Sequence, residues 1–238
     1  MRIKKNIYDM LKEKSNDYWE EDSQYSHWTN YYIPFYKDML GEVLDLEKDK
    51  LTYDNNRVVA KAKKGIDKIE GYTFGGDVII NIKNMPDVYK ASFDYDSKYN
   101  ECNLGIMPKE GNLQGAKKRI GNDWRFDLFL KAINRYYIDG DNTIIEQAKK
   151  RNNSDYTRNV LNFFSNKIAS IADADWTDVD PKEKIYNFTG SLYGISREMT
   201  DRFLECDENI SAQDFYILIK DFWNERDINR LQKNKKGV

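Results

Sequence analysis

The chain has 238 residues and a formal net charge of -2, with 40% hydrophobic and 14% aromatic residues, enough to build a packed core despite a charged fraction of 33%. A balance so close to neutral excludes a global field that gathers nucleic acid or anionic membrane, so any polyanion needs a local patch. Two cysteines, Cys102 and Cys206, without a C-x-x-C companion exclude a disulfide framework and a cysteine zinc site, and the single His27 excludes multi-histidine metal centres. No apolar run is long enough to span a bilayer and the N-terminus lacks the apolar core of a secretion signal, so a soluble cytoplasmic protein is expected.

Ile3, Ile7, Met10 and Leu11 recur at helical spacing and predict a short amphipathic helix. From Tyr18 to Tyr36 aromatic residues crowd around His27, interleaved with Glu20, Glu21 and Asp22. That stretch reads as core or as a partner surface presenting Trp19, Trp28 and Tyr32; its sparse cations argue against a platform for stacking bases. Pro34 suits a first helical turn, and Phe35, Met39, Leu40 and Val43 continue one face. Between Leu51 and Ile69 two readings stay open. LTYDNNRVV forms a hairpin about Asp54 to Asn56, or Asn55 or Asn56 caps a helix presenting Val59, Ala62, Ile66 and Ile69.

GYTFGGDVIINIKNMP reads as a Gly-Gly turn joined to a β-branched strand, Val78 to Ile82, and KASFDYD alternates as a strand does. Beyond it the pattern is helical. Asp123 is placed to cap a helix carrying Phe126, Leu130, Ile133 and Tyr137, and Asp141 or Asn142 to start another through Ile144, Ile145 and Ala148. A longer helix follows Ser154 or Asp155, Asp180-Pro181 reads as cap and first residue of the next, a further helix spans roughly Ser191 to Cys206, and Ser211 with Asp214 forms a capping box. These elements predict a predominantly helical α+β fold in a single domain over 1–238. A small antiparallel sheet in the strand-bearing part (about 50–122) is covered by helices of the C-terminal half (about 123–232).

The stretch from Cys102 to Asp127 interrupts the helical pattern with Gly105, Gly111, Gly115 and Gly121, Pro108 and a basic group. It reads as an ordered loop leading into a helix. It matches neither G-x-x-x-x-G-K-[ST] nor G-x-G-x-x-G. Backbone amides at Gly111 and Gly115, the polar side chains Asn112, Gln114 and Asn122, and the cations Lys109, Lys117, Lys118, Arg119 and Arg125 supply what a phosphate or carboxylate needs, with Asp127 on the first turn of the helix beyond.

Asn103, Met107, Pro108, Gly111, Leu113 and Lys117, followed by N-D-W-R-F-D from Asn122 to Asp127, carry a resemblance. The segment resembles N-x-x-x-M-P-x-x-G-x-L-x-x-x-K with N-D-R-F-D, a motif of hypothetical proteins from low-GC Gram-positive bacteria and their phages. It spans about a tenth of the chain, with Trp124 inserted. The resemblance implies a phage or mobile-element setting and a weight on this segment, without naming a reaction.

Together these features favour a binding protein that uses segment 103–127 for a small anionic ligand, nucleotides included, or for a protein partner. They assign no cofactor. Two alternatives stand. Asp94 and Asp96 lie two apart on a predicted strand downstream of Gly75-Gly76, an arrangement similar to the nucleotidyltransferase pattern, and so form a candidate Mg²⁺ site for an enzyme acting on nucleotides or phosphate esters. The aromatic N-terminal stretch is the candidate face of an interaction module.

Overall fold

The computed structural model describes residues 33–47, 50–54, 57–93, 101–148, 154–166 and 179–236. Its first described helix, α1 (Ile33–Leu40), has Pro34 in the first turn, where the missing N–H costs nothing. The sheet follows: β1 (Leu44–Asp45), β2 (Thr52–Asp54), β3 (Arg57–Ala62), β4 (Thr73–Val78) and β5 (Leu104–Pro108). All pairings are antiparallel. β1 and β2 share one edge of β3, β4 takes the other, and β5 lies outside β4. The open choice between Leu51 and Ile69 resolves as the hairpin, with Thr52, Tyr53 and Asp54 opposite Val59, Val58 and Arg57.

Two strand expectations are corrected. Gly75 and Gly76 make no turn; they stand inside β4 opposite Met107 and Ile106, and neither has the positive φ that a glycine turn exploits. The β-branched run ends its strand at Val78 and passes into a 3₁₀ turn, Ile82–Asn84. The start of KASFDYD is no strand either. Pro86 opens a one-turn helix, α2 (Asp87–Lys90), whose following Phe93 packs edge-on against Tyr216 at 5.0 Å and Trp223 at 5.8 Å. Alternation in a short window imitates such a helical contact pattern.

The C-terminal half is helical: α3 (Leu113–Gly121), α4 (Phe126–Asp139), α5 (Thr143–Ala148), α6 (Ser154–Phe164), α7 (Pro181–Tyr193), α8 (Arg197–Leu204) and α9 (Ala212–Lys236). Local chemistry explains most boundaries. Asp180 caps α7 by accepting from Lys182 N, with Pro181 next. Ser211 Oγ accepts from Asp214 N at 3.1 Å and donates to the Asp214 carboxylate at 2.7 Å. The helix expected from roughly Ser191 to Cys206 is the shorter α8, which starts later because Gly194 at φ 64° closes α7 and Ser196 caps α8. The last helix runs on to Lys236, past the boundary expected near 232.

One cluster of buried residues joins sheet and helices. Phe74 of β4 meets Phe164 of α6 at 5.9 Å, and Phe126 of α4 touches Tyr193 at 4.8 Å, Phe203 at 5.2 Å and Phe222 at 5.8 Å. Strand β5 is the outer strand, yet all five of its residues are buried. Side chains close its free edge. The Ile106 N–H donates to Tyr36 Oη at 3.3 Å, the Leu104 carbonyl accepts from Arg226 Nη2 at 2.7 Å, and Pro108 has no N–H to offer. Beyond β5, Gly111 at φ 85° lets the chain run against the backbone of α6, where Thr157 Oγ1 donates to its carbonyl at 2.8 Å.

Candidate functional site

The stretch expected to be a loop between Cys102 and Asp127 is mostly regular structure, β5, α3 and the start of α4. Leu113, Ala116, Lys117 and Gly121 are buried on the sheet-facing side of α3. A lysine on that face needs partners, and β4 supplies one. Lys117 Nζ lies 2.5 Å from Asp77 Oδ2, 2.5 Å from the Val78 carbonyl and 3.1 Å from the Ile79 carbonyl, with Asp123 Oδ1 at 3.4 Å. The Lys117 side chain is 1% exposed and that of Asp77 3%. Gln114 Nε2 donates to the other Asp77 oxygen at 2.7 Å. The ion cluster is therefore enclosed and hydrogen-bonded, the condition under which buried charges are tolerated.

Asp123 does not cap α4. Asn122 and Asp123 occupy the left-handed region at φ 49° and 68°, which short polar side chains tolerate best, and so turn the chain sharply between α3 and α4. That turn aims the Asp123 carboxylate inward, where Asn81 Nδ2 donates to it at 3.0 Å while Asn81 N donates to the Asp123 carbonyl at 2.8 Å. The N-cap of α4 is Arg125, with no side-chain cap bond. Its guanidinium instead forms a two-pronged pair with Asp127, Nε to Oδ1 at 2.7 Å and Nη2 to Oδ2 at 2.6 Å, and Nη1 donates to the Glu208 carbonyl at 2.8 Å. Donating these hydrogen bonds to the Asp127 carboxylate raises the Arg125 pKa further. Beside this pair burial pushes the Cys206 thiol up to about 11, so it rests as an unreactive thiol.

Asn103 completes the set. Its side-chain amide accepts from Ile80 N at 3.1 Å and donates to the Ile80 carbonyl at 2.9 Å, acting as a surrogate strand where β4 has ended. Within segment 103–127, Asn103, Lys117, Asp123, Arg125 and Asp127 thus all face inward and hold each other or the backbone. The members of this buried cluster that sequence reading missed are Asp77 and Asn81. One signal pointed to Asp77: an acid inside the otherwise apolar and glycine run GGDVII.

The outward side of the segment differs. Lys118, Arg119 and Asn122 are exposed, and the two cations stand four and three positions before Asn122, each in neighbouring distance of it at the end of α3. Arg119 Nε donates to the Gln147 carbonyl at 2.5 Å, and its guanidinium lies over Gly115, where a Cβ would stand 2.8 Å from Nη2 and 2.5 Å from Asn112 Oδ1. Asn112, left-handed at φ 51°, donates its side-chain amide to the Ala148 carbonyl at 2.8 Å. Lys109 is half-buried and pairs its backbone N–H with the Thr73 carbonyl at 2.9 Å. Neither Lys118 nor Asn122 makes a side-chain hydrogen bond or ion pair with the described residues, and the terminal guanidinium nitrogens of Arg119 make none.

The structure therefore divides the expected ligand residues. Gln114 and Lys117 join at Asp77, Arg125 joins Asp127, and Lys118, Arg119 and Asn122 remain outside. Asp94, Asp96, Trp19, Trp28, Tyr32 and His27 lie outside the described residues. Among the described residues no group of three or more His, Cys, Asp or Glu side chains is placed to hold a metal ion, and no helix is long and apolar enough to cross a membrane. Comparison with protein-family models, with curated proteins and with solved structures finds no match, so the geometry of α3 and its two faces is what bears on function.

Proposed function

We propose that the chain works by binding, and that it holds a small anionic group, phosphate or carboxylate, on the outer side of α3 through Lys118, Arg119 and Asn122. The observation that carries this reading is the contrast within one helix. Lys117 is neutralised from below by Asp77 and Asp123, whereas the next two cations are exposed and free of any carboxylate among the described residues. Arg119 is also pre-organised. Its Nε is held by the Gln147 carbonyl and its guanidinium lies over Gly115, so less side-chain freedom is lost when an anion takes the remaining donors.

Thermal denaturation with inorganic phosphate, pyrophosphate and nucleoside triphosphates tests it. A ligand at about 100 times its Kd stabilises by roughly 2.7 kcal/mol, a readable shift at this size. The shift is expected to vanish in the Lys118→Ala/Arg119→Ala variant. It is expected to shrink in Gly115→Ala, which keeps both charges while its methyl group displaces the guanidinium. A shift unchanged by both variants, or none with any anion, overturns the reading.

A further inference from the structure

We infer that the oxygen cage around the Lys117 ammonium is a monocation site in its own right, built for a primary ammonium group and open to one from solution once the lysine side chain is removed. Four oxygens converge on one point: Asp77 Oδ2, the Val78 and Ile79 carbonyls, and Asp123 Oδ1. Three of them accept at 2.5, 2.5 and 3.1 Å, matching the three N–H donors of a primary ammonium.

The cage does not depend on the lysine for its shape. Gln114 holds the far oxygen of Asp77 at 2.7 Å, Asn81 holds that of Asp123 at 3.0 Å, and the β4–β5 ladder fixes the strand end at Val78. Asp123 Oδ1 is the sign that the site is cation-seeking. It is buried and accepts no hydrogen bond, so its contact is the ammonium 3.4 Å away. Two carboxylates face one ammonium, so removing the lysine leaves two buried acids without their cation, a deficit that an ammonium entering the vacated channel makes good.

Removing the side chain beyond Cβ leaves space for propylammonium. In Lys117→Ala the melting temperature is expected to fall by about 10 °C. Propylammonium is expected to restore a third or more of that loss. Propanol has the shape without the charge, and tetramethylammonium has the charge without N–H donors; both are expected to restore none. Equal recovery with either control, or no recovery with propylammonium, overturns the inference. Should Lys117→Ala fail to fold from expression, its refolding yield in the same three solutions becomes the readout: a yield raised by propylammonium alone supports the cage, and equal yields overturn it.

Discussion

The two faces of α3 take the same residue types to opposite ends. On the inner face Lys117 is fully enclosed and each of its donors is aimed at a protein oxygen; on the outer face Lys118 and Arg119 stand in water beside Asn122. The difference teaches that local charge density is a poor guide to a binding surface. A basic run of three splits, because a helix turns about 100° per residue and three consecutive positions cannot all point the same way. The lysine that faces inward is affordable only because a strand forty residues upstream presents an acid to it.

This contrast yields an ordered set of expectations. The largest effect belongs to the enclosed pairs. Asp127→Ala strands the Arg125 guanidinium, with its partner carboxylate fully buried, and is expected to cost about 3–5 kcal/mol by chemical denaturation. A cost below about 1 kcal/mol erases the distinction between inner and outer charges. Next comes Asn103→Ala, which removes both side-chain partners of the Ile80 peptide group and is expected to cost about 1–3 kcal/mol.

Arg197 sharpens the comparison because it makes the same two-pronged contact as Arg125, to Glu183 at 2.7 and 2.5 Å, but with its side chain 60% exposed. Arg197→Ala is expected to cost no more than about 1 kcal/mol, and high salt to remove most of it. Smaller still, Lys118→Ala with Arg119→Ala is expected to stay within about 0.5 kcal/mol of the parent in the absence of anions. The last expectation is a slope. Hydrogen bonds from Thr143, side chain first and then backbone, hold the Asp141 pKa below its ordinary 3.8. Its stabilising contribution is therefore present above that value and lost as pH falls through the lowered one. Asp141→Asn should flatten the acid limb of a stability-against-pH curve below about pH 4, with little change at neutral pH.

Much of the architecture is legible in the chain. Asp180-Pro181 and Ser211 with Asp214 announce their caps through local residue chemistry, which acts within a few positions, whereas between Leu51 and Ile69 that chemistry left hairpin and helix both open and strand pairing decides for the hairpin. The candidate site was less legible because its decisive contacts are long-range. Nothing near Lys117 in sequence names Asp77, and nothing near Asp123 names Asn81. A trace did exist: Leu113, Ala116, Lys117 and Ile120 fall at i, i+3, i+4 and i+7, the spacing of a core face, and a lysine on such a face implies an acid opposite. Gly75-Gly76 misled for a related reason. Two glycines suit a turn in isolation, but β5 pairs across both and holds them extended.

The sealing of β5 has a consequence for the order of events during synthesis. The Leu104 carbonyl waits for Arg226, 122 positions later, so at about 5–20 residues per second the strand leaves the ribosome roughly 6–24 s before its outer edge can be closed. During that interval the outer edge of the Leu-Gly-Ile-Met-Pro strand has only Tyr36 and the missing N–H of Pro108 to blunt it, and the Leu104 carbonyl is unpartnered. Its growing chain is exposed to self-association then in a way the finished protein is not.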